Sequence, residues 1–141
     1  MGLLGNTCDE GIRSLPAAAN QVFSVGDFVM LKNGYCIVGA VTTGAKVIGT
    51  CAKALDTTGL SAGDEKVFFN VGDYRPSFDV ANSGADPIAQ ADCGVAYCYV
   101  SGAYEVAKTS GGSTRSVAGL PLRVKENGKV EVAILPMSVL P

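Results

Sequence analysis

Apolar and polar residues alternate in short runs over most of this chain, and Gly, Asp, Asn, Ser and Thr bound the runs. Short alternating runs with such punctuation predict β-strands. From Phe23 onward the reading is β throughout. Strands are expected at Phe28 to Leu31, Tyr35 to Val41, Lys46 to Ala52, Glu65 to Val71 and Ser77 to Val80. Turn-forming residues separate them at 42–45, 56–64 and 72–73, and a longer loop follows at 81–90. The last third alternates best. Gly94 to Val100 places Val95, Tyr97 and Tyr99 on one face, and Ser101-Gly102 suggests a two-residue hairpin into Ala103 to Ala107. A Gly- and Ser-rich loop at 109–115 precedes a strand at Leu120 to Lys125, where Pro121 favours a sheet edge or a bulge. An Asn-Gly turn at Asn127-Gly128 then leads into Lys129 to Leu135. Many short strands with Gly-rich turns predict an all-β fold, a compact β-sandwich or small β-barrel of short antiparallel strands.

Residues 1–22 break this rhythm. Gly2, Gly5, Gly11 and Pro16 interrupt any helix, and Ala17 to Gln21 offers at most one helical turn. The segment reads as an extended N-terminal arm, with residues 23–141 forming a single β-domain.

Composition narrows the function. Apolar residues make up 48%, but charged residues only 17%, against about 25% in typical domains. The 11 basic and 13 acidic side chains, spread over about 6,800 Å² for a compact monomer of this mass, give roughly one charge per 280 Å². Either the surface is rich in small polar residues, or other subunits cover much of it. A net charge of -2 supplies no field for gripping a polyanion, so nucleic acid is not an expected partner. No run approaches the length of a membrane-spanning helix. The first residues carry Asp9 and Glu10 and lack a signal peptide's basic and apolar regions.

Candidate chemistry is scarce. The chain has no His, which removes imidazole acid-base catalysis and the Ser-His-Asp and Cys-His machineries. Cys8, Cys36, Cys51, Cys93 and Cys98 make an odd set that reads as free thiols, mostly serving as small core residues. Cys93 and Cys98 lack a second pair of matching spacing, so no zinc site is expected. Gly111-Gly112-Ser113-Thr114-Arg115 lacks the Lys of a phosphate-binding loop. Asp64, Glu65, Asp73, Asp79, Asp86 and Asp92 fall mostly in loops and turns, where Asp bonds its own backbone. No catalytic residue, metal ligand or cofactor is nominated.

Two segments carry a resemblance. Ala81-Asn82-Ser83-Gly84-Ala85-Asp86-Pro87-Ile88-Ala89-Gln90-Ala91-Asp92-Cys93-Gly94 is the first, and Val106-Ala107-Lys108-Thr109-Ser110-Gly111-Gly112-Ser113-Thr114-Arg115-Ser116-Val117-Ala118-Gly119 is the second. With the closing hairpin they cover roughly residues 81–135, and they resemble the decoration, or cement, proteins of tailed bacteriophages. Cys93 and Cys98 depart from that pattern. The resemblance implies a β-domain that forms a homo-oligomer, a trimer ahead of a dimer, and binds the outer surface of the capsid. There it would stabilise contacts between capsomers of the major capsid protein. It carries over no catalytic residues, and it implies a protein made in the host cytoplasm and carried on the virion; neither nucleic acid nor a membrane is an expected partner. Such proteins often reach the shell with a terminal arm, so Leu3, Leu4, Ile12, Leu15, Val22 and Phe23 are the expected capsid or subunit contacts. A β-rich binding module for carbohydrate or a host receptor, using exposed tyrosines, is the alternative.

Overall fold

The computed structural model describes residues 11–71 and 77–134. Among the described residues, twelve strands form two antiparallel sheets and a closed five-stranded barrel, with a 3-10 turn at Gln90–Asp92. The chain is all-β, as its alternation predicts.

The first half builds a five-stranded sheet from β1 (Ile12–Pro16), β3 (Phe28–Lys32), β4 (Tyr35–Val38), β5 (Lys46–Cys51) and β7 (Lys66–Val71), in the order β1-β7-β5-β3-β4. A small second sheet pairs β2 (Val22–Phe23) with β6 (Leu55–Asp56). A parallel bridge between Ala17 and Cys36 draws the two edges of the larger sheet together. At that bridge the Ala18 N–H donates to the Cys36 carbonyl at 2.8 Å.

The strand period of two lets β3 serve two cores at once. Phe28 and Met30 face the barrel side, while Val29 packs into the core of the first half with Phe23, Cys36, Ile48, Val67 and Phe69. Each such side chain, fully withdrawn from water, contributes about 1.5–3 kcal/mol. β5 continues this division by the same alternation, with Val47 in one core and Ile48 in the other, and its register against β3 shifts between Val29 and Met30. Gly49 lies where β7 comes closest, and a Cβ there would strike the Asn70 carbonyl oxygen.

The second half closes a barrel from β8 (Phe78–Asn82), β9 (Cys98–Val100), β10 (Glu105–Ala107), β11 (Val117–Val124) and β12 (Val130–Ala133), in the order β10-β8-β12-β11-β9. Four pairings are antiparallel, and the parallel pairing of β8 with β10 completes the ring. Parallel neighbours need a long crossover rather than a hairpin. Residues 83–104, comprising a long loop, β9 and a short turn, supply that crossover.

Several local expectations are corrected. The stretch 11–22 of the expected arm is built into the domain. β1 pairs antiparallel with β7, and the buried Thr57 hydroxyl donates to the Ala18 carbonyl at 2.8 Å and accepts the Gln21 N–H at 2.8 Å. Residues 1–10 lie outside the described residues. The run Tyr35 to Val41 is strand only to Val38, because Gly39 lies against the Gly102 and Ala103 carbonyls with no room for a side chain. β9 begins only at Cys98, with small Cys98 and Val100 inside while Val95 and Tyr97 are exposed. The hairpin after it turns over three residues, 102–104, since Val100 pairs with Val106 and Ser101 N–H donates to Glu105 O. Pro121 does sit at a bulge, where the register shifts before Arg123 and leaves Leu122 exposed.

Candidate functional site

The crossover is held by a set of side-chain hydrogen bonds. Asn82, at the end of β8, grips the backbone of Ile88 at both ends: its Nδ2 donates to Ile88 O at 2.9 Å, and its Oδ1 accepts from Ile88 N at 2.9 Å. The loop between them is tightened by Ser83 Oγ, which accepts the Asp86 N–H at 3.1 Å. Asp92 Oδ2 accepts the Ala89 N–H at 2.8 Å and so starts the 3-10 turn. Gln90 Oε1 accepts the Val124 N–H at 2.9 Å, fastening that turn to the barrel wall.

The second loop, 108–116, is locked onto the first. Asp86 Oδ2 accepts from Thr109 Oγ1 at 2.6 Å, from Thr109 N at 3.1 Å and from Arg115 Nη1 at 2.8 Å. Arg115 Nη1 also donates to Thr109 O at 3.0 Å, and Lys108 Nζ lies 3.5 Å from Asp92 Oδ1. Between these contacts Gly111, Gly112 and Ser113 all take positive φ, at 62°, 73° and 70°. Glycine makes two of those three left-handed steps inexpensive. The Ser110 carbonyl gathers the N–H groups of Thr114 and Arg115 at 3.0 Å each. Ser116 Oγ then donates to Thr42 O at 2.7 Å and ties the loop to the first half. The Thr109 hydroxyl, its N–H and the Arg115 guanidinium hold the Asp86 carboxyl below the usual carboxylate range.

Beside this lock lies an apolar hollow of about 200 Å³, lined by Ile88, Val95, Ala96, Tyr97, Cys98 and Pro121, with Lys108, Thr109 and Asp92 at its rim. A larger polar groove of about 540 Å³ runs between the two halves. There Arg123 Nε meets Glu131 Oε1 at 2.9 Å, Lys125 Nζ meets Asp79 Oδ2 at 2.6 Å, and Ser77 Oγ donates to Glu131 Oε2 at 2.7 Å. The Ser77 hydroxyl and the Arg123 guanidinium lower the Glu131 carboxyl. The groove's charges are mutually paired, and a paired surface ion contributes little on its own.

Among the described residues, no group of three or more His, Cys, Asp or Glu could hold a metal ion. The described cysteines are free. Burial pushes the Cys98 thiol up to about 12 and the Cys36 thiol up to about 11, so both behave as small apolar residues.

The expected contact residues part company. Ile12 and Val22 are exposed, and Ile12 lies diagonal to exposed Phe68 on the outer face of the β1–β7 pair. Leu15 is half-buried against the first core. Phe23 is fully buried in that core, so its surface is already used within the chain. Leu3 and Leu4 lie outside the described residues. The apolar hollow was not foreseen, because it is assembled from four separate segments of the chain. The Asn82 clamp had a visible signal: an Asn at a strand end, six residues before the Ile it grips.

No family model matches the chain, and no curated protein or solved structure matches it.

Proposed function

We propose that this protein is a structural component of a tailed-phage virion, binding the outer capsid surface and stabilising contacts between capsomers of the major capsid protein. One observation carries the reading. The two segments that resemble decoration proteins, separated by residues 95–105, fold into a single interlocked unit through Asp86, Thr109 and Arg115. Their side chains serve shape, and three donors occupy the Asp86 carboxylate. The scarcity of charge fits a surface that is covered in an assembly, and exposed Ile12, Val22 and Phe68 offer apolar contact. As a homo-oligomer, a trimer in the leading form, the protein would need only modest contact per protomer, because simultaneous engagement multiplies affinity.

Co-sedimentation with expanded capsids that lack their outer protein tests this. Saturable binding and a raised shell melting temperature are expected. Absence of both overturns the proposal. The carbohydrate-binding alternative draws on half-exposed Tyr97 at the apolar hollow. It predicts glycan-array hits that Tyr97→Ala abolishes.

A further inference from the structure

Two turns in this chain are closed by Asn-Gly, at Asn33-Gly34 and Asn127-Gly128, and both pairs are exposed. Their hydrogen bonding differs completely. Asn33-Gly34 is the two-residue link between β3 and β4, flanked by the pair Lys32 and Tyr35, with φ of 53° at Asn33 and 88° at Gly34. Neither the Asn33 side chain nor the Gly34 N–H has a hydrogen-bond partner among the described residues. Nothing lies within 4 Å of the position a Gly34 Cβ would take. At the other turn the Gly128 N–H donates to Lys125 O at 2.9 Å, and Asn127 Oδ1 accepts the Lys129 N–H at 3.0 Å. The other described asparagine followed by a small residue, Asn82 before Ser83, has its amide fixed at both ends by Ile88.

We propose that Asn33 is a site of spontaneous covalent modification, converting through a succinimide to aspartate and isoaspartate while Asn127 is protected. The Gly34 backbone nitrogen attacks Asn33 Cγ. The new N–Cγ bond forms, the Cγ–Nδ2 bond breaks, and ammonia leaves with the proton lost by Gly34. Water then opens the five-membered ring. Cleavage at Cγ gives aspartate, and cleavage at the main-chain carbonyl gives isoaspartate. No oxidant or partner is required. The attack needs the Asn33 carboxamide and the Gly34 nitrogen to rotate toward one another, and among the described residues no hydrogen bond holds either one. At Asn127 the same motion must first break two hydrogen bonds, which slows it at least about tenfold. Isoaspartate inserts one extra backbone carbon into a turn whose length sets the Lys32 and Tyr35 pairing. Its product therefore disturbs β3, the strand that feeds both cores.

The test is incubation of the folded protein at mildly alkaline pH, followed by peptide mapping with isoaspartate detection. The peptide containing Asn33 is expected to gain the deamidation product at least about tenfold faster than the peptide containing Asn127. In denaturing urea the two sites should react at similar rates, which assigns the difference to the fold. An Asn33→Gln variant should lose the fast product and keep the slow one. Equal rates in the folded protein, or a faster reaction at Asn127, overturn the proposal. So does an Asn33 peptide that stays intact in the folded protein while it converts in urea.

Discussion

Arg115 reaches across 29 residues of sequence to place Nη1 2.8 Å from Asp86 Oδ2, and both side chains are largely shielded from solvent. This contact, with the two from Thr109, joins the crossover of the barrel to the loop that follows β10. Because the donors favour the ionised carboxylate, the folded Asp86 has a lower pKa than in the unfolded chain. Glu131 behaves alike under Ser77 and Arg123. Each group therefore contributes stability above its unfolded pKa, at about pH 4. That contribution is lost as the pH falls through the folded value. Urea unfolding followed against pH should weaken on the acid side, and Asp86→Asn should make that acid limb shallower while lowering stability at neutral pH.

The Asn82 clamp holds the entrance of the crossover with two hydrogen bonds to one backbone residue. Asn82→Ala leaves the Ile88 N–H and C=O without their partner. A loss of about 2 kcal/mol in unfolding free energy is expected by chemical denaturation. Asn82→Asp should recover the part that the Oδ1 acceptor supplies, and not the part supplied by Nδ2.

Gly49 is required by the closeness of β5 and β7 rather than by its backbone angles. Gly49→Ala drives a methyl against the Asn70 carbonyl and to within about 3.0 Å of the Phe69 ring. The backbone cannot yield without opening the sheet, so a cost of about 3 kcal/mol is expected in thermal or chemical unfolding. Gly84→Ala is the control, because open space surrounds that position.

Thiol chemistry should report the two cores. Reactivity belongs to the thiolate, which burial disfavours at Cys36, Cys51 and Cys98. Near about pH 8 a thiol reagent should leave these three silent in the folded protein and label them on denaturation. Cys93, half-buried and beside Asp92, should react slowly.

Much of this fold was legible in the pattern of side chains. The apolar run Phe28 to Leu31, the β-branched and aromatic run Val67 to Val71 and the alternation in Val130 to Ala133 mark strands directly, and Pro121 marks the bulge. Where the pattern misled, a tertiary contact decided. Ile12 to Pro16 shows no clean period, yet it becomes a strand because β7 offers an edge and Thr57 secures the residues behind it. Val95 and Tyr97 alternate like a strand but stay outside, because Gly94 N–H donates to Pro121 O and turns the segment over β11. Closure by a parallel pair could not be read from local sequence, since it depends on how far the crossover carries β10. The interlock had its polar residues in plain view, and only the fold brings Asp86 to Arg115. Phe23, an expected contact, lies in the chain's own core, and apolar residues near a terminus look alike in sequence whether they meet a partner or that core.

The central claim is a location on a particle. An electron cryomicroscopy reconstruction of the virion, or of expanded capsids mixed with the purified protein, measures that directly. The account predicts density matching the two-part β-fold on the outer surface of the shell, seated over contacts between neighbouring capsomers. A reconstruction with the protein present in the preparation and no such density on the outer shell would contradict it.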